Sequence, residues 1–118
     1  LISQQMYMKT YTSYKFNPLD HYVHINKKTP NKEDLKIIEK DVYNNLDKAL
    51  NQRLASISKK FNVKYLNIEE IQCNQNDKLC ELITPDGYKI YWDPIHITEE
   101  GAKYLGKKIK KLDWFKSN

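Results

Sequence analysis

A chain of 118 residues is long enough for one core and too short for two, and its composition of 40% hydrophobic and 30% charged residues is that of a globular protein with a wet surface. That excludes collagen-like and disordered classes, and no apolar run approaches the ~18–20 residues that span a bilayer. The formal charge of +5 admits anionic partners, but Arg53 is the one arginine in the chain, and phosphate and base recognition favours arginine's planar fork, so nucleic acid is disfavoured.

The first residue is Leu1 and not Met, which reads as a processed chain or as part of something longer. Residues 5–12 alternate loosely and predict a strand. Residues 13–30 read as irregular, with Asn17-Pro18 and Thr29-Pro30 as boundary signals. His21 and His24, beside Asp20, have a metal-like H-x-x-H spacing, but no acidic cluster supports them and they read as polar surface. Thr29 can cap a helix with Pro30 in its first turn. Leu35, Ile38, Val42, Leu46, Leu50, Leu54, Ile57 and Phe61 then follow in steps of three and four. They predict one long amphipathic helix over about 31–60, packed on a sheet.

Residues 62–68 predict a short strand after that helix, an order that suggests an α/β layered fold. Thr84-Pro85-Asp86-Gly87 reads as a turn and residues 88–92 as a short extended piece. Thr98 predicts the cap of a last helix over about 99–111, with Glu99 and Glu100 at its dipole-favoured start. Ala102, Leu105, Ile109 and Leu112 form its expected buried stripe, and Lys103, Lys107, Lys110 and Lys111 its solvated face. Trp114 and Phe115 are expected to pack the end of the chain against the body.

Cys73 and Cys80 bracket six mostly polar residues. A disulfide, two free thiols and a metal site all fit that pattern, although paired zinc-binding cysteines usually lie closer together.

The chemistry-bearing segment is Trp92-Asp93-Pro94-Ile95-His96-Ile97-Thr98-Glu99-Glu100-Gly101-Ala102. By spacing alone, Asp93 caps a turn and His96 is a partly buried polar residue. The same spacing lets the carboxylate hold one imidazole nitrogen, leaving the other to take a proton from a hydroxyl. Tyr91 and Trp92 beside the pair fit either a sugar-stacking wall or the core, and one of the two is expected in the core.

Asp93-x-x-His96, then Ile97-Thr98-x-x-Gly101-Ala102 and a C-terminal helix, resembles the last sequence block of SGNH (GDSL-like) hydrolases. Together with Cys73, Cys80, Asp86-Gly87 and Tyr91, it is similar to the SGNH domain that follows the acyltransferase-3 region of bacterial surface O-acyltransferases. The resemblance covers about Asn31 to Leu112. It implies a three-layer α/β/α sandwich, of which this chain is the C-terminal portion. It implies His96 as general base and acid, Asp93 as its support, and a Cys73–Cys80 disulfide. It implies acyl transfer or ester hydrolysis on acylated surface carbohydrate, in a periplasmic or cell-surface domain tethered to an integral membrane acyltransferase. No cofactor or metal is implied. The family's nucleophile lies in a Gly-Asp-Ser block that this chain lacks, since its first glycine is Gly87. The nucleophile is therefore expected outside the chain. The rival readings are a non-catalytic glycan- or protein-binding module, a Lys-rich nucleic-acid-binding domain and a zinc protein.

Overall fold

The structure, a computed structural model, describes residues 16–116. The strand expected over 5–12 lies outside them. Within 13–30, expected to be irregular, a helix α1 forms over Pro18–Asn26. Asn17 caps it, its Oδ1 accepting the Asp20 N–H at 2.9 Å. Pro18 sits in the first turn, where its missing N–H costs nothing. The Asn17-Pro18 pair therefore starts a helix.

The long helix expected over 31–60 is two helices, α2 over Lys32–Asn44 and α3 over Ala49–Lys60. The cap of α2 is Asn31 and not Thr29: its side chain accepts from the Glu33 and Asp34 N–H groups, and Asp34 reaches back to the Asn31 N–H. The break follows from side chains that compete with the helix ladder. Asn45 Nδ2 donates to the Asp41 carbonyl at 2.8 Å, and Asp47 Oδ1 accepts the Ala49 N–H at 3.2 Å. The apolar stripe is fully buried only along α2, at Ile38 and Val42, and Leu46 and Leu54 are half-buried. On α3 the buried residues are Asn51 and Ser58, while Leu50 and Ile57 are exposed.

Among the described residues, the strand expected over 62–68 is reduced to a bridge at Leu66. Asn67 caps a short helix α4, Ile68–Gln72, and turns the chain out of the extended path. Then β1, Cys73–Asn74, pairs antiparallel with β2, Leu79–Cys80. Asn74 Oδ1 closes the connecting turn by accepting from Asn76 and Asp77. Cys73 and Cys80 are register partners and are joined by a disulfide, which selects one of the three possibilities left open by spacing. Closing so short a loop restrains the unfolded chain by about 2–3 kcal/mol in the chain-entropy model. The double variant Cys73→Ser/Cys80→Ser is therefore expected to lose about that much stability in urea unfolding. Reductant should lower the parent protein to the same level and leave the variant unchanged.

The described residues thus combine helices with one small antiparallel sheet. They have α/β content without the three layers that the resemblance implies. Beyond the hairpin, the Thr84–Gly87 turn closes with the Gly87 N–H on the Thr84 carbonyl at 2.9 Å, Gly87 taking a positive φ of 89°. Isolated bridges Ile83↔Lys89 and Tyr91↔Ile97 follow. The core gathers Leu19, Ile38, Val42, the two cysteines, Leu82, Ile90, Tyr91 and Leu105.

The last helix, α5, spans Glu99–Lys111 with Thr98 as cap, as expected. Its buried line is different. Gly101 and Leu105 are buried, Ile109 is half-buried, and Ala102 and Leu112 are exposed. The inward face is displaced because Gly101 lies backbone-to-backbone on Ile90. Lys103 pairs with Glu99 and Glu100, and half-buried Lys108 with Glu81, whose carboxylate also accepts the Tyr104 hydroxyl. Trp114 is half-buried, but Phe115 stands exposed against its edge, so only the first of the two packs inward.

Candidate active site

The residues between Tyr91 and Ile97 form a closed loop. The two ends bridge each other, and the Trp92 N–H donates to the His96 carbonyl at 3.1 Å. Within the loop Asp93 does two jobs with two oxygens. Its Oδ1 accepts the Ile95 N–H at 2.8 Å and the His96 N–H at 2.7 Å, which fixes the turn. Its Oδ2 lies 2.5 Å from His96 Nδ1. Asp93 thus caps a turn and also holds the imidazole, while His96, expected to be partly buried, is exposed because only its Nδ1 edge is turned to the loop.

Burial pushes the Asp93 carboxyl up, but the Ile95 N–H, the His96 ring and the His96 N–H outweigh it and hold the group below its ordinary value. An ionised Oδ2 at this distance requires the proton on Nδ1. In the neutral ring Nε2 is then the bare acceptor. The Asp93 side chain is 26% exposed and that of His96 is 59% exposed. Among the described residues Nε2 has no hydrogen-bond partner. The pair can therefore accept a proton at Nε2 on an exposed ring.

The loop is held from behind by side-chain hydrogen bonds. Asn17 is buried, and its Nδ2 donates to the Tyr91 carbonyl at 2.8 Å. The Tyr91 hydroxyl donates to Gln72 Oε1 at 2.9 Å, and Gln72 Nε2 donates to the Glu81 carbonyl at 2.8 Å. Thr98 Oγ1 donates to the Lys89 carbonyl at 2.6 Å and accepts the Gly101 N–H at 2.9 Å. The cap of α5 therefore doubles as a clamp on the chain that enters the loop. The one available signal for Asn17 was its place before Pro18, a strong helix-start pairing.

Ser56 and Ser58 lie on α3, donating to the carbonyls of Gln52 and Ala55. Ser3, Ser13 and Ser117 lie outside the described residues. His24 stacks on Phe16, and no cluster of metal-ligating side chains occurs among the described residues. Of the aromatic pair, Tyr91 is the core residue and Trp92 the exposed one.

A family model described as the SGNH domain (fused to AT3 domains) matches residues 8–111. The chain belongs to this SGNH family. The match starts well upstream of Asn31, so the family pattern takes in α1 and Asn17 as well as the Asp93–His96 loop. No curated protein and no solved structure matches the chain. The family's description joins SGNH domains to AT3 domains.

Proposed function

We propose that this SGNH domain supplies the Asp/His half of a serine O-acyltransferase or esterase, with the nucleophile outside the chain. The observation that carries the reading is the 2.5 Å contact from Asp93 Oδ2 to His96 Nδ1, with Nε2 left open, in a chain of the SGNH family. In the reaction, Nε2 takes the proton of a serine hydroxyl as its oxygen attacks an ester carbonyl. Asp93 stabilises the imidazolium so formed. The imidazolium returns the proton to the departing alcohol oxygen, leaving an acyl-serine. A second alcohol, or water, then loses its proton to Nε2 and takes up the acyl group, and the imidazolium returns that proton to the departing serine oxygen.

The substrate class we favour is acyl, chiefly acetyl, esters of surface carbohydrate, handled outside the cytoplasm beside a membrane acyltransferase. The disulfide fits an oxidising compartment. We read the chain as the trailing portion of a three-layer α/β/α sandwich. In support, the radius of gyration is 15.1 Å, against about 13 Å for a compact domain of 100 residues. Leu50 and Ile57 also leave the apolar line of α3 in solvent.

The test is labelling of the full-length polypeptide with a serine-directed fluorophosphonate. His96→Ala is expected to slow labelling about 10²–10⁴-fold, the usual worth of a positioned base. Unchanged labelling in the variant would remove His96 from the mechanism. No labelling of the parent protein would favour a non-catalytic binding module.

A further inference from the structure

We infer that Trp92 is the stacking platform for the alcohol half of the ester, taking the flat face of a pyranose ring beside His96; this rests on His96 acting as the base. Trp92 is 61% exposed while its neighbour Tyr91 is 2% exposed. Burying an indole is among the larger apolar gains open to a side chain, so an indole left in water on an ordered loop is a candidate contact surface. The loop is ordered by its own bonds. The Trp92 N–H is fixed to the His96 carbonyl, and the adjacent Tyr91↔Ile97 bridge fixes the next pair. The indole and imidazole centroids are 5.9 Å apart, with the rings tilted by 43°. A ligand resting on the indole therefore lies within one ring's width of the imidazole.

The shape of the surface selects the ligand. An acyl tail is apolar on all sides and needs an enclosing groove. Trp92 offers one open wall beside the imidazole of His96, which is itself held by the Asp93 carboxylate. One wall suits a ligand with a single C–H face and a hydroxyl edge that stays wet. A pyranose has that form, and one of its edge hydroxyls carries the ester toward Nε2.

The test compares two acetyl esters in the full-length protein: an O-acetylated methyl glucopyranoside and ethyl acetate, which has no ring. Trp92→Ala is expected to raise KM for the sugar ester about tenfold, the scale of one aromatic stacking contact, with kcat nearly kept. Ethyl acetate hydrolysis should stay within about twofold, and Trp92→Phe should restore most of the sugar activity. Equal losses on both esters, or no loss on either, would overturn the platform. His96→Ala separates the two readings: it should abolish turnover of both esters, and if it changes neither, the base assignment fails whatever Trp92 does. Where Trp92→Ala does not fold, Trp92→Leu carries the same comparison, since it keeps apolar bulk without a flat face.

Discussion

Asp93→Asn in the full-length enzyme is expected to keep the fold and lose about 10⁴ in kcat, the scale seen when the carboxylate of an Asp-His pair becomes an amide. The two oxygens of Asp93 explain the separation. An asparagine can still accept from the Ile95 and His96 N–H groups through Oδ1, so the turn survives. At the other position it presents an N–H to Nδ1, which forces the ring proton onto Nε2 and removes the base. Asp93→Ala loses both functions and is expected to lower the unfolding temperature as well as the rate. Kinetics and thermal unfolding on the three proteins check this. A similar rate in the parent and the Asn variant would mean that Oδ2 does not set the tautomer. The sign of the pH effect follows from the lowered carboxyl. Its stabilising contribution is present above the unfolded value and is lost as pH falls through the folded one, in acid below the ordinary 3.8.

Gly101→Ala is expected to destabilise the domain and disturb the site, although the same change in a helix usually gains up to about 1 kcal/mol. A β-carbon at 101 would lie 2.4 Å from the Ile90 carbonyl oxygen and 2.8 Å from its Cα. Both are backbone atoms with no rotamer to yield. Overpacking of this kind costs about 1–3 kcal/mol, which outweighs the helix gain. The displaced segment carries Thr98 and the chain leading to Trp92, so activity should fall with stability. Gly106→Ala on the same helix is the control. Its β-carbon meets nothing within 4 Å, so a gain of about 0.5–1 kcal/mol is expected. Urea unfolding of the two variants decides the matter: equal effects would mean that α5 does not dock through Gly101.

The parts of the molecule legible in the sequence are those written in short range. The last helix announces itself through Thr98, Glu99 and Glu100, and the Asp93–His96 contact spans three residues. Residues 31–60 misled because apolar spacing continues across Asn45 and Asp47, whose side chains take backbone groups from the helix. Periodicity records which residues are apolar and does not record a competing side-chain hydrogen bond. Asn17 was opaque for a different reason. Its bond to the Tyr91 carbonyl joins positions 74 apart, and no local pattern reports a contact of that kind. The position of α5 on Ile90 is likewise set by a missing side chain at Gly101, which a search for apolar residues passes over.

The Cys73–Cys80 hairpin has a consequence for maturation. The two cysteines of this sequence admit one intrachain pairing, and they already face each other across a two-residue ladder. Closing a loop of this size takes on the order of 10–100 ns, far faster than assembly of the long-range contacts around it. Oxidation therefore needs no finished fold as a template, and no wrong intrachain partner within this segment has to be undone. Within this segment, oxidation of the unfolded chain and oxidation of the folded one therefore lead to the same crosslink.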